Sequence, residues 1–538
     1  MTERTTANAR PETAPGPFVF DIDRLHTLAS DGVIRAGIAY LKDKRVLSLA
    51  ADETRLVARV EGWRPHLHWD VEIEADPDGE LHTVCGCDFD DEPTCKHVVA
   101  ALLAYAERLE SEQVASAADR ALSDRKHRGK TEVHVRHVTG SPTFGTWTAH
   151  TMTDPNAPTR PYTVQLRSVH ERLNTCSCPD FAVNRLGTCK HIEGVLHQLK
   201  KRRARIPRLA HALVYLHWEL NDGADIDGAP TIRVRLPDQP APELTAILDR
   251  HFDARGVLRG ALPDAWARLE KDAERRVDID LGDDARAHAS RVALTQTRAA
   301  RATAIAEAIQ RSGGHLPGVR ARLYPYQTDG VAFLASNGRA MLADDMGLGK
   351  TLQAIAAARW LIDNESVTRV LVICPASLKT QWQREIQRFT GLDAVIIEGG
   401  AAPRHAQYRR GATFTIANYE LVMRDLTALS DELRPDLLIV DEAQRLKNWR
   451  TKGAAAVKSL RTRYAFVLTG TPLENRLEDL YSIMQVVDGH VLGPLWHFIP
   501  RYHVLDARST PVGFRNLAEL RRRLRHVMLR RDKRLVRD

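Results

Sequence analysis

No run of apolar residues in this 538-residue sequence is long enough to span a bilayer, and residues 1–18 lack the apolar core of a secretion signal. Both absences point away from a membrane or an export route. The cytoplasm is the expected compartment, with nucleoid association if the source is bacterial. Cysteine is scarce: there are seven, six of them in two compact sets with histidine, which leaves Cys374 as a core filler in an apolar segment. A disulfide framework stays open as an alternative for those sets, although cysteine and histidine together at metal-ligand spacing suit a reducing compartment better. The net charge of +8 is unevenly placed, since residues 521–538 hold nine Arg/Lys against Asp532 and Asp538. Global charge therefore says little about partners; the tail itself either meets nucleic-acid phosphates or packs as a helix against another lobe. Residues 1–18 read as a disordered N-terminus.

What is present begins with metal chemistry. Cys85-x-Cys87 is followed by Cys95-x-His97, and the arrangement repeats as Cys176-x-Cys178 with Cys189-x-His191. Three thiolates and one imidazole per set match a closed tetrahedral zinc site. Before the first set Leu67, Trp69, Val71 and Ile73 alternate into a turn at 76–79; after it Val99, Leu102, Leu103 and Ala106 share a helix face. Around the second, Tyr162, Val164 and Leu166 alternate, and Ile192, Val195, Leu196 and Leu199 repeat the helical spacing. Each set reads as a small ββα module, at 50–110 and 160–205. The spacing resembles the SWIM zinc finger, with seven residues between the pairs in the first copy and ten in the second. That resemblance implies contact with DNA or with protein, beside the simpler role of folding the module around zinc. Basic stretches at 125–130 and 200–205 either add phosphate contacts or are solvated faces.

A second chemistry lies downstream. Residues 343–351 read Ala-Asp-Asp-Met-Gly-Leu-Gly-Lys-Thr. Such a turn lets backbone N–H groups converge on phosphate oxygens, and the following helix adds its positive end. Gly347 and Gly349 give the backbone that freedom, Lys350 reaches the β/γ-phosphates and Thr351 ligates magnesium. Asp344 stands where the general loop pattern has its first Gly. Residues 437–444 read Leu-Leu-Ile-Val-Asp-Glu-Ala-Gln, a short apolar strand ending in two carboxylates. Asp441 is placed to hold magnesium and Glu442 to orient and deprotonate the attacking water.

Five separated motifs then agree. Leu-Tyr-Pro-Tyr-Gln-Thr-Asp-Gly-Val (323–331) precedes the loop, and Val-Leu-Val-Ile-Cys-Pro-Ala-Ser-Leu-Lys-Thr-Gln-Trp (370–382) follows it. Ile-Ala-Asn-Tyr-Glu-Leu-Val (416–422), Asp-Glu-Ala-Gln-Arg-Leu-Lys-Asn (441–448) and Leu-Thr-Gly-Thr-Pro-Leu-Glu-Asn (468–475) complete the series. In this order they resemble the first motor lobe of Swi/Snf-type ATPases of helicase superfamily two, over residues 318–538. The resemblance explains Asp344, because Asp-Glu-Met-Gly-Leu-Gly-Lys-Thr is that family's usual loop; Asp345 stands for its Glu. It places Asp344, Met346, Gly347, Leu348, Gly349, Lys350 and Thr351 around the nucleotide and Gln327 on adenine. It puts Ser377, Lys379, Asn418 and Tyr419 on DNA, and makes Thr469, Gly470 and Thr471 a hinge coupling nucleotide state to DNA grip. Gln444, where His is frequent, links the γ-phosphate to that hinge. Ser377 as a helix cap and Asn418 as a turn former are the plain alternatives.

Residues 206–317 carry no visible chemistry; Ile232 to Leu236 alternate like a strand, 285–309 has helical spacing, and the region reads as an α/β connector. The expected fold is multi-domain: two ββα zinc modules, the connector, and a RecA-like α/β lobe with a mostly parallel sheet. The expected function is the ATP-binding half of a motor that translocates on double-stranded DNA, using ATP, magnesium and zinc. The resemblance implies a second lobe, which nothing after Leu468-Thr-Gly-Thr-Pro is expected to form; the chain reads as a truncated product, a fragment, or one half of a split motor whose partner is a separate chain. The alternative is a non-catalytic zinc-finger binding module whose lone lobe holds nucleotide without turnover.

Overall fold

The computed structural model describes residues 17–19, 25–64, 66–76, 80–89, 91–151, 161–202, 211–218, 230–448, 451–460, 462–470, 476–506 and 509–535. They fall into two units, one holding the described residues up to 124 together with 495–520, the other holding the rest. Of the expected disordered N-terminus, residues 1–16 lie outside the described residues, whereas Phe18 is buried in the core of the first unit.

In the first unit an antiparallel meander of four strands (Val46–Ala51, Arg55–Glu61, His68–Ala75, Leu81–Cys85) runs into the long helix Lys96–Glu132. Leu56, Ala58, Val60, Val71 and Ile73 alternate inward on the two central strands and pack with Val98, Val99 and Leu102 of the helix. The hairpin legible from 67–85 is thus the second half of a larger sheet. The same unit contains the helix Leu495–Tyr502 and the hairpin His503–Leu505 with Pro511–Phe514. Arg501 donates to Glu110 at 2.5 Å and to Glu519 at 2.7 Å, tying this segment to the long helix through a half-buried charge network.

The second unit repeats the plan with strands Val133–Ser141, Phe144–Thr151, Tyr162–Leu166 and Thr175–Cys176 before the helix Lys190–Arg202. That helix crosses the end of the long helix at two glycines: a Cβ on Gly129 would stand 2.7 Å from the Lys190 carbonyl oxygen and 2.8 Å from the Gly194 nitrogen. The region expected to be a connector holds a three-stranded sheet, ordered Thr231–Arg235, Ala212–His217, Ile279–Leu281, packed on the helices Pro242–His251 and Asp264–Ala273. Asp284, opening the helix Asp283–Arg311, accepts from Arg167 of the second zinc module at 3.2 Å.

The remaining layer is a seven-stranded, all-parallel sheet. Its order is Ala394–Ile396, Phe414–Asn418, Val370–Cys374, Leu437–Val440, Tyr464–Leu468, Arg339–Leu342 and Met528–Leu529. The central strands are buried along their length, as continuous apolar runs require when helices cover both faces. In such a sheet, loops at the carboxyl ends of neighbouring strands converge on one edge. Cys374 lies in the core there, as its apolar setting implies.

A candidate nucleotide site and two candidate metal centres

Every nucleotide-motif residue falls at that carboxyl edge. The turn Ala343–Gly349 leaves the strand Arg339–Leu342, and the helix Lys350–Asn364 begins immediately after it. Gly347 at φ 87° and Gly349 at φ 70° occupy the left-handed region that an L side chain resists. At Gly349 a Cβ would also come within 2.6 Å of Gln327 Nε2, so a larger residue there would displace that amide as well as strain the backbone. Met346 is exposed and Leu348 buried, while Thr351 is half-buried in the first helical turn.

Lys350 Nζ donates to the carbonyls of Asp344, at 2.7 Å, and Asp345, at 3.1 Å, folding the amine into the loop where phosphate oxygens would replace those carbonyls. Burial pushes its amine below the usual lysine range, against the pull of Asp344, Glu442 and Asp441. The Asp344 side chain is fully buried and accepts from Arg531 Nε at 3.0 Å and from the Arg531 backbone N–H at 3.1 Å. Asp344 therefore anchors the loop from beneath, and Arg531, from the basic tail, is committed internally rather than to DNA. Gln327 accepts from the Tyr324 N–H at 3.1 Å and lies against Leu348, beside the loop.

The strand Leu437–Val440 delivers the two carboxylates. Trp382 Nε1 donates to Asp441 Oδ2 at 2.8 Å, and burial pushes the Asp441 carboxyl above its ordinary range, a cost that a bound cation would offset. Glu442 sits at φ 51°, a strained backbone for a non-glycine. The Tyr419 hydroxyl braces the turn by donating to the carbonyls of Asp441 at 2.6 Å and Glu442 at 3.3 Å. Gln444 Nε2 donates to Glu442 Oε2 at 2.5 Å, and Thr469 Oγ1 donates to Gln444 Oε1 at 3.1 Å. Gln444 is thus a wire from the carboxylate to the next strand end. Gly470 closes the group: a Cβ there would lie 3.1 Å from the Met346 side chain and 3.8 Å from Lys350 Nζ.

Two of the residues expected to face DNA make internal contacts. Tyr419 is buried and its hydroxyl faces the Asp441–Glu442 turn. Lys379 is half-buried and its amine donates to the Ile397 carbonyl at 3.2 Å. Ser377 is exposed, and the helix Lys379–Thr390 has no side-chain cap, which removes the capping alternative. Asn418, at the strand end, donates to Glu420 at 2.5 Å. Thr471 lies outside the described residues. Trp382 and the Arg531–Asp344 pair were missed by sequence reasoning; Trp382 ends a motif whose polar members drew attention first.

The zinc ligands also assemble. In each set one atom per residue lies within 4.8 Å of all the others. His97 Nδ1 stands 3.7 Å from both Cys85 Sγ and Cys95 Sγ; His191 Nδ1 stands 3.8 Å from Cys176 Sγ and 3.9 Å from Cys189 Sγ. A tetrahedral zinc with its usual bond lengths separates such ligands by roughly 3.5–3.8 Å, so the donor sets fit the ion. None of the seven cysteines is in a disulfide, which closes that alternative. Hydrogen bonds from neighbouring thiols hold one sulfur per set toward the thiolate, Cys95 in the first and Cys178 in the second.

A SNF2-related domain matches residues 326–538, and the SWIM zinc finger matches residues 69–106 and 162–200. The chain carries a SNF2-related domain and two SWIM zinc fingers. YwqA of Bacillus subtilis is 34% identical over 227 residues, 40% of this chain and 24% of that protein. The DNA excision repair protein ERCC-6-like of Bos taurus is also 34% identical, over 39% of this chain and 19% of its own length. The chain thus spans about a quarter or less of these relatives. Among solved structures, the Sulfolobus solfataricus SWI2/SNF2 ATPase core in complex with dsDNA is 32% identical, covering 41% of this chain and 47% of that one, with a TM-score of 0.36. The SNF2-related domain implies ATP and magnesium as its ligands, and the fingers imply zinc. No helix among the described residues is long and apolar enough to cross a membrane.

Proposed function

We propose that the SNF2-related domain hydrolyses ATP and couples the cycle to movement along double-stranded DNA in the cytoplasm. The observation that carries this reading is the chain of contacts from Glu442 through Gln444 to Thr469 beside Lys350. A carboxylate that orients water is linked by one amide to the strand end expected to report nucleotide state. Lys350 exchanges its loop carbonyls for phosphate oxygens; Gly347 and Gly349 open backbone N–H groups to the same anion. Thr351 and Asp441 would hold magnesium, which would supply charge neutralisation on the phosphates. Trp382 and Tyr419 keep Asp441 and Glu442 in place during that exchange. The motif residues Ser377 and Asn418, at the carboxyl edge, are the DNA-facing positions we retain. Residues 318–538 as the motor region and 206–317 as a connector remain our reading of the domain plan.

The test is DNA-stimulated ATP hydrolysis by the zinc-loaded chain beside its Glu442→Gln variant. Stimulation by duplex DNA, lost by about 100-fold or more in the variant, is the expected outcome for a removed general base. Retention of ATP binding with no turnover under any DNA condition would sink the catalytic reading and leave a nucleotide-holding module.

A further inference from the structure

At the opposite end of the sheet lies a cavity of about 600 Å³, walled by the second zinc finger, the helix Asp283–Arg311 and the motor lobe. Its place is fixed by Arg339, which opens the strand whose other end feeds the nucleotide loop. Four cationic side chains line it, Arg291, Arg298, Arg339 and Lys458, against the carboxylates Asp180 and Asp488. Asp180 is already occupied, accepting from Arg125 at 2.6 Å and 3.0 Å. Asp488 accepts from the His490 N–H at 2.9 Å.

Two of the four cations, Arg291 and Arg298, are under-partnered for their half-buried setting. Arg339 is held by the carbonyls of Thr462, Val486 and Val487. The guanidiniums of Arg291 and Arg298 make no hydrogen bond or ion pair among the described residues, and burial pushes both downward with Asp488 the opposing charge. Lys458 donates to Ser482 Oγ at 3.0 Å and is pushed down to about 8 by burial. Two lining side chains also bury polar atoms with no partner among the described residues, Gln485 Nε2 and His490 Nδ1. Burial holds the His490 imidazole down at about 4, neutral at physiological pH and able to offer Nδ1–H. Half-buried cations and buried donors left without acceptors are costly, and a bound anion is one arrangement that offsets the cost.

We propose that this cavity binds a small polyphosphorylated anion, at a site separate from the ATP loop, clamping the second zinc finger to the motor lobe. Phosphate oxygens match the planar donor forks of Arg291 and Arg298, and an excess of cations over available carboxylates calls for a ligand with several negative charges. The volume suits a free diphosphate or triphosphate compound and is too small for a duplex. A ligand there binds the folded arrangement alone and so stabilises it. This inference does not rest on catalysis at Glu442.

The experiment uses the full zinc-loaded chain with Lys350→Ala, which disables phosphate binding at the loop. Inorganic tripolyphosphate is titrated by calorimetry and by thermal melting, with ADP as a competitor. One equivalent bound, with a raised melting temperature, is expected. Arg291→Gln with Arg298→Gln should weaken binding at least tenfold, whereas Arg521→Gln with Arg522→Gln in the exposed tail should not. Competition by ADP identifies a nucleotide as the preferred source of the phosphates, and its absence an inorganic or other small polyphosphate; both support the site. Should the double arginine variant fail to fold, Gln485→Leu with His490→Ala removes donors without removing charge and should weaken binding similarly. Loss of all binding with Lys350→Ala alone would overturn the proposal. So would tripolyphosphate affinity equal in the cavity and parent chains, or weakened equally by the tail variant.

Discussion

The two zinc fingers use the same four ligand types on the same four-stranded meander, yet they are built to different depths. In the second, all four ligands are buried; in the first, Cys85 and Cys87 are half-exposed. The contacts that hold the ligand histidines differ too. His191 Nε2 lies 3.3 Å from Thr151 Oγ1, which fixes the ring with Nδ1 toward the sulfurs, whereas His97 Nε2 is buried with no partner among the described residues. The Cys178 sulfur additionally accepts from the Phe181 N–H at 3.3 Å. The second finger also braces its neighbours: Arg167 reaches Asp284 of the connector, and Arg185 donates to the His490 carbonyl at 3.3 Å. The lesson is that one ligand pattern serves two ends, one site integrated into a larger core and the other more open to exchange.

The hardest blow to this comparison is removal of a thiolate from each finger. Cys189 is fully buried among Trp147, Val164, Ile192 and Val195. Structural zinc contributes on the order of 10 kcal/mol to small finger modules. Cys189→Ser is therefore expected to unfold the second finger and lower the melting temperature of the connector and motor lobe with it. Cys87→Ser should bring bound zinc from two ions to one while the connector and lobe melt as before. Metal analysis and far-ultraviolet dichroism melting read both outcomes; equal damage from the two variants would erase the distinction. Chelation should separate the fingers without mutation. The expected course is two phases about tenfold apart in rate, with Cys85 and Cys87 alkylated before Cys176, Cys178 or Cys189, as mass spectrometry would report. A single phase would mean the burial difference has no consequence for exchange.

How much of this was legible in the sequence follows from the kind of signal each feature leaves. Ligand spacing is local, so both metal sets could be read directly, as could the loop at Gly347 to Thr351 and the carboxylates at Asp441 and Glu442. The first two strands of each meander were missed although Leu56, Ala58 and Val60 alternate plainly, because attention fell on the strands beside the cysteines. Arg531 with Asp344, 187 residues apart, and Trp382 with Asp441, 59 apart, are tertiary pairs that no local pattern announces. Tyr419 read as DNA-facing by resemblance, while the fold turns it inward to the strained Glu442. The cavity at the amino edge draws on residues from 179 to 490 and leaves no motif at all.

A finer test acts on the contacts that hold the ligand histidines. Thr151→Val removes the partner of His191 Nε2 without touching a ligand. Loss of such a support typically weakens metal binding by about 10–100-fold, so zinc affinity of the second finger should fall toward that of the first in competition with a chelating dye. Affinity unchanged in the variant would leave burial alone as the source of the difference.

The smallest effect sits in the helix joining the fingers, where the basic run at 125–130 was expected either to meet phosphates or to be a solvated face. Arg125 is largely buried and paired with Asp180, and Arg128 pairs with Glu132 at 3.1 Å, while Lys126 and Lys130 are exposed. The run thus divides by residue. Arg125→Ala should cost about 1–2 kcal/mol of stability in the second unit, the worth of a charged hydrogen-bonded pair whose partner stays partly solvated. Lys126→Ala with Lys130→Ala should leave the melting temperature unchanged. If the helix does follow DNA, that pair of substitutions should lower the slope of log affinity against log salt by about 2, one unit per lost phosphate contact. An unchanged slope with a shifted melting temperature for Arg125→Ala alone would make the whole run a structural strap for the second finger, sharpening the contrast with the first.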